Sequence, residues 1–359
     1  SSETSRMRHE WGRAVSGRGA LVGAGLALLL LLVLIAARGR GRRSAPGAAE
    51  ADGSVREPGD AEASAQWWNV RELIEAGVQR QEALERRARA ERERAAGSAL
   101  PPSAKIPVVR ELSSPELLKQ PFAARLIVSE RLRAVFCPMP KAANSNWKYE
   151  IRKLEGIADY ADLAAAHQMS TSGLRYLTDY SPRDVDAILY GNPQRGVLPF
   201  FKFVFVRDPY TRLLSAYNDK FALKNTSSEE YRLFVAQILS WKAIRGRDLS
   251  QEPRISFRTF VDELLKQDVA HMNAHWMPQA LVCGLGYVPY DFVGSFEHLG
   301  TDAAAVLAHL GHPEEKFPTQ QEIGFPPSGT RAMIDELYTR EIMLKARVIY
   351  DQDFLLLGY

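Results

Sequence analysis

The chain has 359 residues, 46% hydrophobic and 25% charged, with a formal net charge of +3. That is a folding globular composition with room for one sizeable core or two modest ones, and its mild basicity permits an anionic ligand but makes no case for nucleic acid. Two cysteines, Cys137 and Cys283, exclude a paired-cysteine metal site and a disulfide framework; one bridge stays open, and the apolar strand around Cys137 favours two buried thiols.

The first element is an uncharged run, Ala20 to Ala37, ALVGAGLALLLLLVLIAA. It is slightly short of the ~20 residues that span a bilayer, and longer than a usual signal-peptide core. It therefore reads as a signal-anchor in preference to a cleaved signal. Arginines flank it nearly evenly (Arg13 and Arg18 before, Arg38, Arg40, Arg42 and Arg43 after), so charge does not fix its orientation. Residues 38–105 read as a stem. Ser44–Gly59 has linker composition, and Arg71–Ala96 alternates Glu and Arg at helical spacing. Leu73, Ile74 and Leu84 are too sparse for a firm heptad seam, so this is a solvated stalk, with a homodimer through the stalk as the alternative. Pro101-Pro102 close it.

From residue 106 to 359 strand-like and helix-like blocks alternate. Arg133–Met139 is an apolar run ending at prolines, and Asn146–Leu154 has helical spacing. Phe200–Val206 (FFKFVFV) is β-rich, with a helix predicted from Pro209 to about Leu223. Tyr290–Ser295 is a third strand candidate, followed by a helix over Ala303–Leu310. This alternation implies an α/β domain with a largely parallel sheet.

Two strand–loop–helix junctions carry candidate chemistry. At the first, Pro140, Lys141, Ala142, Ala143, Asn144, Ser145, Asn146 and Trp147 open a helix after a proline-ended strand. Such a turn offers backbone N–H groups, a helix N-terminus and a mobile ammonium to an anion. It lacks the glycines of a Walker A loop, which disfavours an ATPase of that type. At the second, Arg207, Asp208, Pro209, Tyr210, Thr211, Arg212, Leu213, Leu214 and Ser215 follow the apolar strand. Asp208 is a natural N-cap and Pro209 a natural first helical residue. Arg207 sits where ligands gather in open α/β sheets, and an Arg with a Ser hydroxyl can grip a phosphate monoester.

Taken together, PKAANSNWK and KFVFVRDPYTRLLSAYNDKF resemble the 5′-phosphosulfate loop and the 3′-phosphate element of the membrane-bound carbohydrate sulfotransferases. That family includes the chondroitin/dermatan 4-O-sulfotransferases and the HNK-1 sulfotransferase. MNAHWMP (Met272–Pro278) and YDFVGSFEHL (Tyr290–Leu299) are also similar to it, and the likeness runs from about Leu126 to Leu310. The chain departs from the pattern at Asn144, where the family usually has cysteine, at Cys283-Gly284-Leu285-Gly286, and in a long Ala187–Leu198 stretch. It resembles a divergent member.

The resemblance implies a P-loop-NTPase-like fold and 3′-phosphoadenosine-5′-phosphosulfate (PAPS) as donor, without a metal. It implies residues 1–19 as a cytoplasmic tail, 20–37 as a transmembrane signal-anchor, and 106–359 as a luminal domain of a single-pass type II Golgi membrane protein. The acceptor would be an anionic glycan or glycosaminoglycan. Lys141 would neutralise the leaving phosphate, and Arg207 and Ser215 would hold the 3′-phosphate. Trp147 would pack near the adenine or in the core. His167, in a sequence similar to one that carries a base in related 2-O-sulfotransferases, is the candidate catalytic base, with His275 the alternative. Arg195, Lys202 and Lys220 are generic candidates for acceptor contacts. Asn225-Thr226-Ser227 is a glycosylation sequon that suits a luminal domain. Two other readings are a kinase-like transferase and a non-catalytic glycan-binding protein. The first lacks a Walker lysine–serine pair; the second has no use for Lys141, Arg207 and Ser215 together.

Overall fold

The computed structural model describes residues 106, 110–324 and 330–359. The expected tail, anchor and stem lie outside the described residues, among which no helix is long and apolar enough to cross a membrane.

A five-stranded sheet holds the domain together, in the order β3 (Arg175–Tyr176), β1 (Ile127–Ser129), β2 (Ala134–Cys137), β4 (Phe201–Val206) and β5 (Phe292–Ser295). Strands β2, β4 and β5 run parallel, whereas β1 is antiparallel to both its neighbours. The sheet is thus mainly parallel, as expected from the sequence, with β1 alone running against the other strands. The three parallel strands match the apolar runs of the sequence. Strands β1 and β3 are too short to show a periodicity.

Thirteen α-helices pack around this sheet among the described residues. In chain order they are α1 (Ser114–Leu118), α2 (Asn144–Glu155), α3 (Leu163–His167), α4 (Pro182–Tyr190), α5 (Pro209–Tyr217), α6 (Glu229–Leu239) and α7 (Trp241–Ile244). There follow α8 (Phe257–Leu264), α9 (Gln279–Val282), α10 (Leu299–His309), α11 (Thr330–Leu337), α12 (Arg340–Ile349) and α13 (Asp351–Leu357). Side chains alternate across a strand, and β4 sorts its own accordingly. Phe203 and Phe205 join Trp147 and Ile151 of α2 and Ala303, Val306 and Leu307 of α10 on one face. Val204 and Val206 join Val185, Ile188 and Leu189 of α4 on the other. Helices thus cover both faces, which is why the strand has no polar alternation. A third cluster, around Phe221, Phe260, Trp276 and Tyr350, unites α5, α6, α8, α12 and α13.

Two sequence expectations change here. Cys137 and Cys283 form a disulfide with a Cα–Cα distance of 5.8 Å, not a pair of thiols; both are wholly buried. The apolar surroundings of Cys137 are real, but α9 brings Cys283 into the same cluster. The helix after Pro209 is regular only to Tyr217. It continues as a π-helical turn, Asn218–Ala222, closed by Leu223 N–H donating to Asn218 O at 2.9 Å.

Candidate active site

The loop from β2 into α2 is built to leave polar groups open. Lys141 and Ala143 both have positive φ, 71° and 59°, a region that costs a side-chain-bearing residue about 1–2 kcal/mol. Ala143 is the N-cap of α2 and supplies no side-chain cap. The first helical hydrogen bond is Trp147 N–H to Ala143 O at 3.0 Å, so the amides of Asn144, Ser145 and Asn146 lie ahead of it. Asn144 Oδ1 is buried and has no hydrogen-bond partner. Asn146 is tied down, its Nδ2 donating to Pro318 O at 2.8 Å. Ala142 is core. Of the two places open to Trp147, it takes the core: it is fully buried among Phe136, Phe203, Phe205 and Phe317.

The turn from β4 into α5 uses its polar groups internally. Asp208 caps α5, accepting from Thr211 N–H at 2.8 Å, with Pro209 following; burial pushes its carboxyl up to about 6. Arg207 Nε donates to Thr211 Oγ1 at 3.1 Å and its Nη1 to Lys141 O at 3.2 Å, and its guanidinium lies 4.3 Å from the centre of the Phe296 ring. Arg212, 1% exposed, donates to three main-chain carbonyls, Pro140 at 3.0 Å, Met277 at 2.8 Å and Ala274 at 2.8 Å. Leu213 and Leu214 are core, and Tyr210 packs on Tyr338 and Phe354. Ser215, 2% exposed, faces inward on the second turn of α5.

All four motifs converge here. Arg207 joins the second to the first through Lys141 O. Arg212 joins both to Met272–Pro278. Asp208 N–H donates to Glu297 Oε1 at 2.9 Å, which brings in the fourth. Sequence reasoning missed the residues that hold this junction. Gln279 accepts from Arg207 N–H at 2.9 Å and donates to Arg207 O at 2.8 Å, while Asp353 accepts from the N–H groups of Gln279 and Ala280 at 2.7 and 2.8 Å. Only Glu297, inside a recognised motif, left a signal.

His167 ends α3, and its Nε2 lies 3.0 Å from Ser145 Oγ, which places it beside the first loop. Lys148, one turn along α2 from Ser145, donates to Ala166 O at 3.0 Å and so pins the helix that carries His167. Partial burial, then the ammoniums of Lys148 and Lys220, push the His167 imidazole down to about 4. The ring is therefore neutral near pH 7 and able to accept a proton. His275 has its Nδ1 2.7 Å from Asn273 Oδ1 and is pushed down to about 3, by burial first and then by Lys220 and Lys141.

The generic basic residues separate. Lys220 lies in the site, sharing Asp219 with Lys141. Lys202 is buried at the start of β4 in an ion pair with Asp291 at 2.7 Å, and Arg195 stands on a short exposed hairpin. Asn225 is exposed, and its Oδ1 accepts from Ser227 N–H at 3.0 Å. Among the described residues no group of His, Cys, Asp and Glu has metal-holding geometry. A cavity of about 220 Å³ lined by Tyr231, Val235, Leu249 and Ile255 shares no residue with either junction.

Comparison with known proteins places this geometry. The model of the sulfotransferase family matches residues 124–359. Carbohydrate sulfotransferase 14 of Mus musculus is 36% identical over 199 residues, covering 55% of this chain and 49% of that protein. Its counterpart in Danio rerio is 29% identical over 254 residues, 68% and 64% of the two chains. Carbohydrate sulfotransferase 12 of Mus musculus is 31% identical over 264 residues, 65% and 59%. The chain thus spans between half and two thirds of the length of these relatives. No solved structure matches it significantly.

Proposed function

The chain belongs to the sulfotransferase family, and from that premise we propose that it transfers a sulfuryl group from PAPS to a hydroxyl of an anionic glycan. The observation that carries this reading is the β2–α2 loop. Its two left-handed residues and uncapped helix N-terminus accompany a largely buried lysine, a setting that favours an anion. The residues fit the donor. Lys141 and the amides of Ala143–Asn146 would take the 5′-phosphosulfate, and Arg207 and Ser215 the 3′-phosphate. Bound there, PAPS supplies an activated sulfuryl group on a good leaving phosphate.

The chemistry is an in-line displacement in which charge builds on the leaving oxygen. The acceptor oxygen bonds to sulfur as the bond from sulfur to the bridging phosphate oxygen breaks. Lys141 neutralises the charge on that oxygen. His167, neutral at working pH, takes the acceptor hydroxyl's proton on Nε2 once Ser145 yields its contact. Arg212, Gln279 and Asp353 touch no reactant in this reading; they hold the loop that does.

The remaining parts of the proposal follow the relatives. The acceptor is a sugar of a glycosaminoglycan or glycoprotein, with the 4-hydroxyl of GalNAc in chondroitin or dermatan the first to test. Residence is a Golgi membrane, held by the apolar run 20–37, with the P-loop-NTPase-like domain in the lumen and Asn225 glycosylated. A buried disulfide suits that oxidising compartment.

The test is transfer of radiolabelled sulfate from PAPS to a panel of glycans. Transfer to at least one is expected, and Lys141→Ala should reduce kcat by about 10²–10³ while leaving the fold intact. Failure of the protein to bind PAPS or adenosine 3′,5′-bisphosphate would sink the reading.

A further inference from the structure

The π-helical turn Asn218–Ala222 follows α5 and carries Asp219 and Lys220. Such turns insert one extra residue per turn and recur at functional sites. Here it delivers Asp219 and Lys220 to the donor loop. Asp219 Oδ2 lies 3.2 Å from Lys141 Nζ and 3.0 Å from Lys220 Nζ, so a single carboxylate oxygen serves two ammoniums. The side chains of Lys141 and Lys220 are only 17% and 13% exposed. Lys220 is braced from behind, 4.9 Å from the centre of the Phe234 ring and 4.0 Å from Glu230. Lys141, by contrast, has Asp219 as its one ion-pair partner among the described residues. The lysine that the proposed reaction needs is thus engaged by an internal anion.

We propose that Asp219 is a positioning residue that latches Lys141: it holds the ammonium until the phosphosulfate of the donor displaces it, and Lys220 then retains the released carboxylate. This rests on the reading of Lys141 as the donor lysine. The latch has an energetic consequence. Asp219 competes with the donor for Lys141, so the empty site keeps its buried ammonium paired and the phosphosulfate must displace a carboxylate to bind. Hydrolysis of bound PAPS without acceptor, in which water attacks sulfur, the bond from sulfur to the bridging oxygen breaks, and sulfate, adenosine 3′,5′-bisphosphate and a proton are released, then follows donor occupancy.

The experiment uses the full chain in detergent, with adenosine 3′,5′-bisphosphate as calorimetric probe and sulfate release from PAPS without acceptor as second readout. Asp219→Asn removes the competing charge, so the bisphosphate should bind about three- to tenfold tighter, and at subsaturating PAPS idle sulfate release should rise by a similar factor. Asp219→Glu should return both towards wild type. The gain should shrink in a Lys141→Met background, because the latch acts through that lysine.

A pH signature separates this from a scaffold role. Lys141 is faced by Asp219 and Lys220 from the π-helical turn, by Arg207 from the end of β4 and by His275. Burial lowers its pKa and Asp219 raises it again. Without Asp219 the ammonium loses its proton at lower pH, so tight binding by Asp219→Asn should fade earlier on the alkaline side than in wild type. Weaker or unchanged bisphosphate binding by a folded Asp219→Asn overturns the latch. Asp219→Ser is carried in parallel with melting curves, and loss of folding in both variants makes Asp219 structural and likewise overturns it. If wild type binds no bisphosphate, the donor site falls and the latch with it. If wild type binds and the variant is not tighter, the latch alone falls.

Discussion

The loop between β2 and α2 and the turn between β4 and α5 stand side by side at the carboxyl edge of the parallel strands, yet their polar groups are employed in opposite ways. In the first, the helix is uncapped, two residues sit in the left-handed region, and an amide oxygen is buried without a partner. In the second, Asp208 caps its helix, Arg207 binds Thr211 and Lys141 O, and Arg212 satisfies three carbonyls. One junction leaves its helix amides uncapped, and the other satisfies most of its polar groups internally. A motif that matches a family at nearly every position is therefore not a list of ligand contacts. Within KFVFVRDPYTRLLSAYNDKF, Arg207 and Arg212 tie the neighbouring loop through Lys141 O and Pro140 O.

Variants on each side should break differently. The largest effect is expected at the open side, where His167→Asn should lower kcat by about 10²–10⁴ with little change in melting temperature, read by steady-state transfer and a thermal scan. In wild type the acid limb of kcat/KM should fall near pH 4, not near the ordinary histidine value of about 6.5, because His167 is held neutral down to that point. An acid limb near 6.5 that survives the substitution would assign the base elsewhere. The clamp side should fail in stability. Arg212→Met leaves three buried carbonyls without donors and should cost roughly 3 kcal/mol or more of unfolding free energy, seen as a lowered denaturant midpoint. The smallest effect belongs to Ser215, whose hydroxyl is buried on α5. Ser215→Ala should weaken adenosine 3′,5′-bisphosphate about tenfold, leave adenosine 5′-phosphate unaffected, and change the melting temperature little.

Much of this was legible beforehand, for identifiable reasons. The strands Ala134–Cys137, Phe201–Val206 and Phe292–Ser295 are buried on both faces and read as apolar runs, broken only by Lys202 and the closing Ser295. Asp208-Pro209 announces its helix through capping chemistry. What escaped depends on long-range placement. Three residues of β1 and two of β3 carry no period. The partner of Cys137 lies 146 positions away and is brought near only by α9. Arg212 looks like a phosphate ligand because its acceptors are main-chain carbonyls, which no side-chain pattern encodes. Asp219 escaped because its partner Lys141 lies on a separate junction, 78 positions away. Trp147 was left open by residue type alone and decided by the surrounding phenylalanines.

The disulfide has a topological consequence as well. Joining Cys137 to Cys283 turns the intervening chain into a covalent ring that contains both junctions, His167, Asp219 and the sequon at Asn225. A ring of that size removes roughly 5 kcal/mol of loop freedom from the unfolded chain in the chain-entropy account. It also changes what a cut does. A protease that nicks the exposed hairpin around Asn192–Val197 would open the backbone without separating the pieces, since Lys141 on one fragment and Arg207 on the other remain tethered through sulfur. Under reducing conditions the same nick would leave no covalent link between Lys141 and Arg207.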